Sequence, residues 1–138
     1  MDSQKKVGAS RLHPFKVLAG LRTEDLDNIA GYFRQATAQS GSILIRQGQV
    51  GKDVYLLEEG SVGVYRGESD TPPLLAVLHA PTIFGEMALV DPERIRTASV
   101  KALSDLRLLT IQIDDFLFIL RRFPVVKNNL RYLVSERN

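Results

Sequence analysis

The chain contains no cysteine and no tryptophan, and only two histidines, His13 and His79. Without cysteine there is no disulfide scaffold, thiolate nucleophile, zinc knuckle or iron–sulfur cluster. Two histidines far apart in sequence, neither in a motif, do not supply metal-ligand spacing or a Ser-His pair. The sequence therefore predicts no catalytic residues, no metal site and no cofactor, and so no enzyme. Neither sign of charge dominates, because 18 Lys+Arg against 16 Asp+Glu leave a net charge of +2. The densest basic points, Lys5-Lys6 and Arg121-Arg122, are too short to make a nucleic-acid-binding face, so no nucleic-acid partner is expected. No apolar run approaches the ~18 residues that suggest a membrane span. The polar N-terminus MDSQKKVGASRLHPF has no apolar secretory core. A cytoplasmic protein without membrane contact is the expectation.

What is present is an ordinary globular balance, 44% hydrophobic and 25% charged, which excludes a disordered or fibrous chain. At 138 residues one domain fits comfortably. Residues 1–13 are expected to form a flexible leader, ended by His13-Pro14, and residues 14–138 a single domain. Thr23, with Glu24 and Asp25 behind it, is read as the N-cap of a helix over Thr23–Phe33. Its apolar face carries Leu26, Ile29, Ala30 and Phe33.

From Gly41 the period shortens. The runs Ile43–Ile45, Val54–Leu57, Val62–Tyr65, Leu74–Leu78, Ala98–Val100 and Leu108–Ile113 are separated by turn signals. These lie at Gln47-Gly48-Gln49, Gly51-Lys52-Asp53, Glu59-Gly60-Ser61 and Gly67 through Pro73. About eight short strands in this arrangement predict a mainly β barrel, sandwich or jelly roll. Helical spacing returns at Phe116, Leu117, Ile119, Leu120 and Phe123. Pro124 should break that helix, and Val125, Val126, Leu130, Leu133 and Val134 trace the stripe of a last one.

One stretch fits none of these elements. Ile83 to Val90 is apolar but contains Gly85-Glu86, and Arg94 and Arg96 lead directly into the strand near Ala98–Val100. A carboxylate and guanidiniums at the margins of apolar segments are costly unless they pair with each other or with a ligand. Read as the start of a short helix, Phe84–Leu89 offers unpaired amides behind a glycine that allows close approach, a setting for an anion. An arginine can fork onto phosphate oxygens, and a glutamate accepts hydrogen bonds from hydroxyls. Together they specify a sugar phosphate.

Gly85-Glu86-Met87-Ala88-Leu89, followed by Arg96-Thr97-Ala98-Ser99-Val100, resembles the phosphate-binding cassette of the cyclic nucleotide-binding domain family. That family includes the catabolite activator protein, protein kinase A regulatory subunits and cyclic-nucleotide-gated channels. The likeness runs from about Phe15 to Asn138, and Gly48, Gly51 and Gly60 resemble the family's turns. It implies an eight-stranded β-roll with an N-terminal helix and two C-terminal helices, and a ligand that is cyclic AMP or cyclic GMP. By the same likeness Glu86 accepts the ribose 2′-hydroxyl and Arg96 pairs with the cyclic phosphate. Phe84, Gly85, Met87, Ala88 and Ala98 line phosphate and sugar, and Thr97 stands where some members offer a hydroxyl to guanine. The family commonly has proline before this arginine and a loop one residue shorter; here Asp91 to Ile95 fill the gap. Arg96 is chosen over Arg94 because Thr-Ala-Ser-Val after it sets the register.

The resemblance further implies a sensor whose ligand draws in the hinge helix near Asp115–Phe123 and closes the last helix over the base. Leu130, Tyr132 and Leu133 are the lid candidates. The output would pass to an effector protein or a fused effector domain; oligomeric state is not legible. The alternative is the same fold acting as a ligand-free interaction module, with Glu86 and Arg96 paired to each other.

Overall fold

The computed structural model describes residues 7–67 and 73–137. Eight antiparallel strands form two four-stranded sheets. One sheet has the order β1 (Arg34–Ala38), β8 (Leu106–Gln112), β3 (Asp53–Glu59), β6 (Thr82–Phe84). The other runs β2 (Ile43–Ile45), β7 (Ser99–Ala102), β4 (Ser61–Tyr65), β5 (Leu74–His79). Around them lie α1 (Ala9–Leu12), α2 (Thr23–Ile29), α3 (Ile113–Arg122) and α4 (Pro124–Glu136). The expected β-roll with flanking helices is what the chain forms.

The continuous apolar runs in β3 and β8 have a simple cause. Successive strand residues face opposite ways, so an uninterrupted run requires cover on both faces. Leu57, Phe84 and Leu108 point between the sheets with Val62, Val100 and Leu106. Val54, Leu56, Ile83, Leu109 and Ile111 point the other way, against Leu26, Phe116, Ile119 and Val126 of the helices. Along β5, Leu75, Val77 and His79 are exposed and alternate with the half-buried Ala76 and Leu78, the pattern of a sheet open to solvent on one face.

Several local expectations shift. From Val7 onward the N-terminal segment is packed, with Val7, Ala9 and Leu12 buried in the helical core. Arg11 fixes it there, its guanidinium forking onto Glu58 at 2.6 and 3.0 Å and donating to Gln35 at 2.6 Å. The part of the expected leader on residues 1–6 lies outside the described residues. Arg22, rather than Thr23, is the N-cap of α2: the Asp25 carboxylate accepts from the Arg22 backbone N–H at 3.2 Å. The Thr23 hydroxyl instead sits 3.4 Å from His13 Nε2. That helix ends at Ile29 and continues only as a 3-10 turn over Ala30–Tyr32, where Gly31 weakens it.

Strands β1 and β6 went unread. Arg34–Ala38 is too polar to signal a strand, and Thr82–Phe84 is only three residues long. The turn expected at Gly67–Pro73 falls largely on residues 68–72, outside the described residues. Pro124 does part the last two helices, and it stands at the first position of α4, where its missing N–H costs nothing. Asn129 on α4 donates to the Val17 and Ala19 carbonyls at 3.1 and 2.8 Å, tying that helix to the N-terminal segment. Among the described residues no helix is long and apolar enough to cross a membrane.

Candidate functional site

Strand β6 delivers Phe84 opposite Tyr55 of β3, and the two rings stack at 4.9 Å and 3°. The next residue, Gly85, has φ 82°, a conformation that side chains disfavour. A Cβ there would also come within 3.2 Å of Arg96 and Tyr55. The chain turns through Gly85 into Glu86–Leu89, burying Glu86 and Ala88 and leaving Met87 exposed. The expected helix is thus a single 3-10 turn, too short for an appreciable dipole. The charge of the site comes from elsewhere.

It comes from Arg96, positioned by the loop before it. The Asp91 carboxylate accepts from the backbone N–H groups of Glu93 and Ile95 at 2.9 and 3.2 Å. The segment then pairs with the turn after β2: Gly51 donates to the Arg94 carbonyl at 2.7 Å and Arg96 to the Gln49 carbonyl at 2.8 Å. In a regular strand residues 94 and 96 would share a face. Arg94 has φ 59°, which breaks the alternation, and the two guanidiniums part. Arg94 reaches out to Asp114 at 2.7 Å, while Arg96 turns inward.

The Arg96 guanidinium donates to the carbonyls of Gly85 at 2.9 Å and Asp53 at 2.7 Å. Both partners are neutral, so among its described hydrogen bonds no anion balances the charge. Burial holds its pKa below the ordinary arginine value, opposed by Tyr55, Asp53 and Glu86 nearby. Space for it is made by Gly51, where a Cβ would lie 2.6 Å from Arg96 Cζ. A buried, preorganised cation held only by dipoles is suited to an oxyanion.

Glu86, the other charged group, is paired from the opposite side. Its Oε1 accepts from Arg137 at 3.2 Å. Arg137 also donates to the Thr82 hydroxyl at 2.9 Å and to the Ile83 carbonyl. Glu86 and Arg96 make no direct ion pair among the described residues.

All eight cassette residues expected at the site, Phe84 to Ala88 and Arg96 to Ala98, line one cavity of about 350 Å³. The rest of its wall is mostly apolar, with Ile45, Val64, Leu78 and Val100 from the sheets, Val134 from α4 and the cationic Arg137 just past that helix's end. That volume is in the range of small-molecule pockets. The lid candidates stand elsewhere. Leu130 and Leu133 pack against the helical core and Tyr132 is 64% exposed; none of the three lines this cavity. Leu130 instead lines a neighbouring groove with Leu117 and Leu120.

Gly51, Tyr55 and Arg137 touch Arg96, Phe84 and Glu86 at the cavity, and the sequence does not single them out as site residues. In the sequence Gly51 reads only as a turn residue, and Tyr55 lies within an apolar run with nothing to mark it. Arg137 lies 41 residues beyond Arg96 with no motif around it.

A family model of the cyclic nucleotide-binding domain matches residues 35–123. The Thermus thermophilus cyclic AMP receptor protein is 36% identical over 122 residues, 86% of this chain and 55% of that protein. The Homo sapiens cGMP-dependent protein kinase 2 is 31% identical over 121 residues, 88% of this chain and 15% of the kinase. The crystal structure of Thermus thermophilus catabolite activator protein superposes with a TM-score of 0.75 at 34% identity, covering 88% of this chain and 57% of that one. The chain therefore spans about half of the bacterial relative and a small part of the kinase. With a buried arginine and glutamate on one cavity of a β-roll, and these likenesses over most of its length, the chain belongs to the cyclic nucleotide-binding domain family.

Proposed function

We propose that this domain binds cyclic AMP or cyclic GMP in the cavity and reports occupancy through its C-terminal helices. The observation that carries the reading is the Arg96 guanidinium, buried on the cavity wall and, among the described residues, hydrogen-bonded only to carbonyls. Arg96 holds the cyclic phosphate, with backbone N–H groups around Gly85, Met87, Ala88 and Ala98 beside it. Glu86 accepts the ribose 2′-hydroxyl. The apolar wall receives the base, and Thr97 is the side chain able to offer it a hydroxyl. Relatives named for each nucleotide are both similar to this chain, so the base preference is left to measurement.

The role is binding and regulation rather than catalysis: one relative is named a receptor, and the kinase is matched over only 15% of its length. The moving part is the α3–α4 pair, since Val134 and Arg137 already stand at the cavity. Leu130, Tyr132 and Leu133 would cover the base only after α4 shifts. The ligand drives that shift by binding the closed arrangement better than the open one. An effector protein or a further domain receives the signal.

One observation favours a second reading, a ligand-free interaction module: Glu86 is satisfied by Arg137 with no ligand needed. Isothermal titration separates the two. Cyclic nucleotide binding that is lost in Arg96→Ala supports the sensor. No heat with either nucleotide, from a protein that melts cooperatively, supports the module.

A further inference from the structure

We propose that the groove between the cassette turn and the last two helices is a docking surface for an acidic amphipathic helix of a partner protein. This goes beyond the nucleotide-binding reading and does not depend on it. The groove measures about 670 Å³. Its floor is aliphatic, built by Leu117 and Leu120 of α3 and by Leu130 and Val134 of α4, all half-buried. At its mouth the cassette turn leaves Met87 45% and Val90 77% exposed. Apolar side chains gathered around one groove mark an interaction site, as single exposed ones do not.

The rim carries one sign of charge. Arg121, Lys127 and Arg131 are exposed there, and none of them makes an ion pair among the described residues. Glu86, the acid on the groove wall, is already paired with Arg137. Three unanswered cations favour an anionic partner. Lys127 and Arg131 stand one turn apart on α4, beside the equally spaced Leu130 and Val134. From Lys127 to Ser135 the groove runs about 12 Å, or about two helical turns. A helix laid along it would seat apolar residues at i, i+3 or i+4 and i+7, flanked by Asp and Glu. A fatty acid would answer only one of the three cations, and a flat bilayer would not reach leucines recessed between two helices. A nucleic acid would find no aromatic ring in the groove on which to stack a base.

The test is a display library of randomised peptides about 16 residues long, enough to hold a helix, selected on the wild-type domain. The enriched sequences should be acidic, with apolar residues at helical spacing. Their affinity should fall about thirtyfold or more in the triple variant Arg121→Glu, Lys127→Glu, Arg131→Glu, which sets like charges against each other. Val90→Asp should lower it about tenfold. All four side chains are exposed, so both variants should melt as wild type does; if the triple variant does not, Val90→Asp decides alone. Failure to enrich any peptide, enrichment of neutral or basic ones, or unchanged affinity in the folded variants overturns the proposal. So does binding of wild type to phosphatidylglycerol vesicles, or to itself in sedimentation, that the triple variant loses: the groove would then take a membrane or a second copy. Failure of the nucleotide-binding reading looks different, because wild type would select these peptides and yet bind neither cyclic nucleotide.

Discussion

Arg94 and Arg96 are two residues apart and carry the same charge, yet one faces Asp114 and the other the cavity. Arg96→Ala should cost nucleotide binding about 2–5 kcal/mol, since it strips one partner from a buried charge contact. In affinity that is a loss on the order of 30- to several-thousand-fold. Arg94→Ala removes a partly exposed pair worth at most about 1 kcal/mol and should leave affinity within a few-fold of wild type. Titration of both variants decides the register: a larger loss in Arg94→Ala would reverse it. Gly51→Ala makes the same point from behind. A methyl group 2.6 Å from Arg96 Cζ must push the guanidinium aside. Affinity should fall about tenfold or more while the far-ultraviolet dichroism is kept. Cassette residues are legible because they fall in two short runs close together in sequence, Phe84–Ala88 and Arg96–Ala98, that suit one chemistry. Gly51 and Arg137 were not, because nothing local distinguishes a glycine that makes room for a distant arginine from one that makes a turn.

At the scale of elements, α4 both walls the cavity and carries structural load. Val126 is fully buried and Asn129 satisfies two carbonyls of the N-terminal segment. Asn129→Ala should lower stability by about 1–2 kcal/mol, read as a lower midpoint in urea denaturation. An unchanged midpoint would mean that water replaces both bonds at no cost. Removing Pro124 onward should therefore destabilise the β-roll as well as uncover the base, and Val134→Ala is the cleaner probe of the lid. The strands with continuous or alternating apolar residues could be read in advance, as could the helices marked by acids and Pro124. β1 was hidden by polarity, since Arg34, Gln35 and Thr37 form a strand only by pairing with β8. The early end of α2 was hidden because periodicity reports which face is buried and not where a 3-10 turn replaces an α one.

For the molecule as a whole, ligand binding and folding are linked, because the cavity exists only when β6, the turn before β3 and α4 are assembled around it. A nucleotide at about 100 times its dissociation constant should stabilise the native state by about 2.7 kcal/mol. For a domain of this size that raises the melting temperature by on the order of 10 °C. A thermal scan of wild type and Arg96→Ala with each nucleotide checks this. A shift that is the same in the variant would place the ligand somewhere other than the cavity.

The bonds from Asn129 to Val17 and Ala19 give α4 a fulcrum. The described stretch beyond it, Leu130 to Arg137, is eight residues, about 12 Å at 1.5 Å per residue, and rests on the helical core through Leu130 and Leu133. A tilt of about 15° about that pivot would carry the tip some 3 Å, as far as one hydrogen bond is long. Arg137 sits at the tip and the buried Val126 on the near side, so a rotation that unseats the guanidinium would leave Val126 in place and slide Leu130 and Leu133 over the core. The helix has the geometry of a lever with unequal mechanical advantage: anchored where it bears on the N-terminal segment, and travelling farthest where Arg137 meets Glu86.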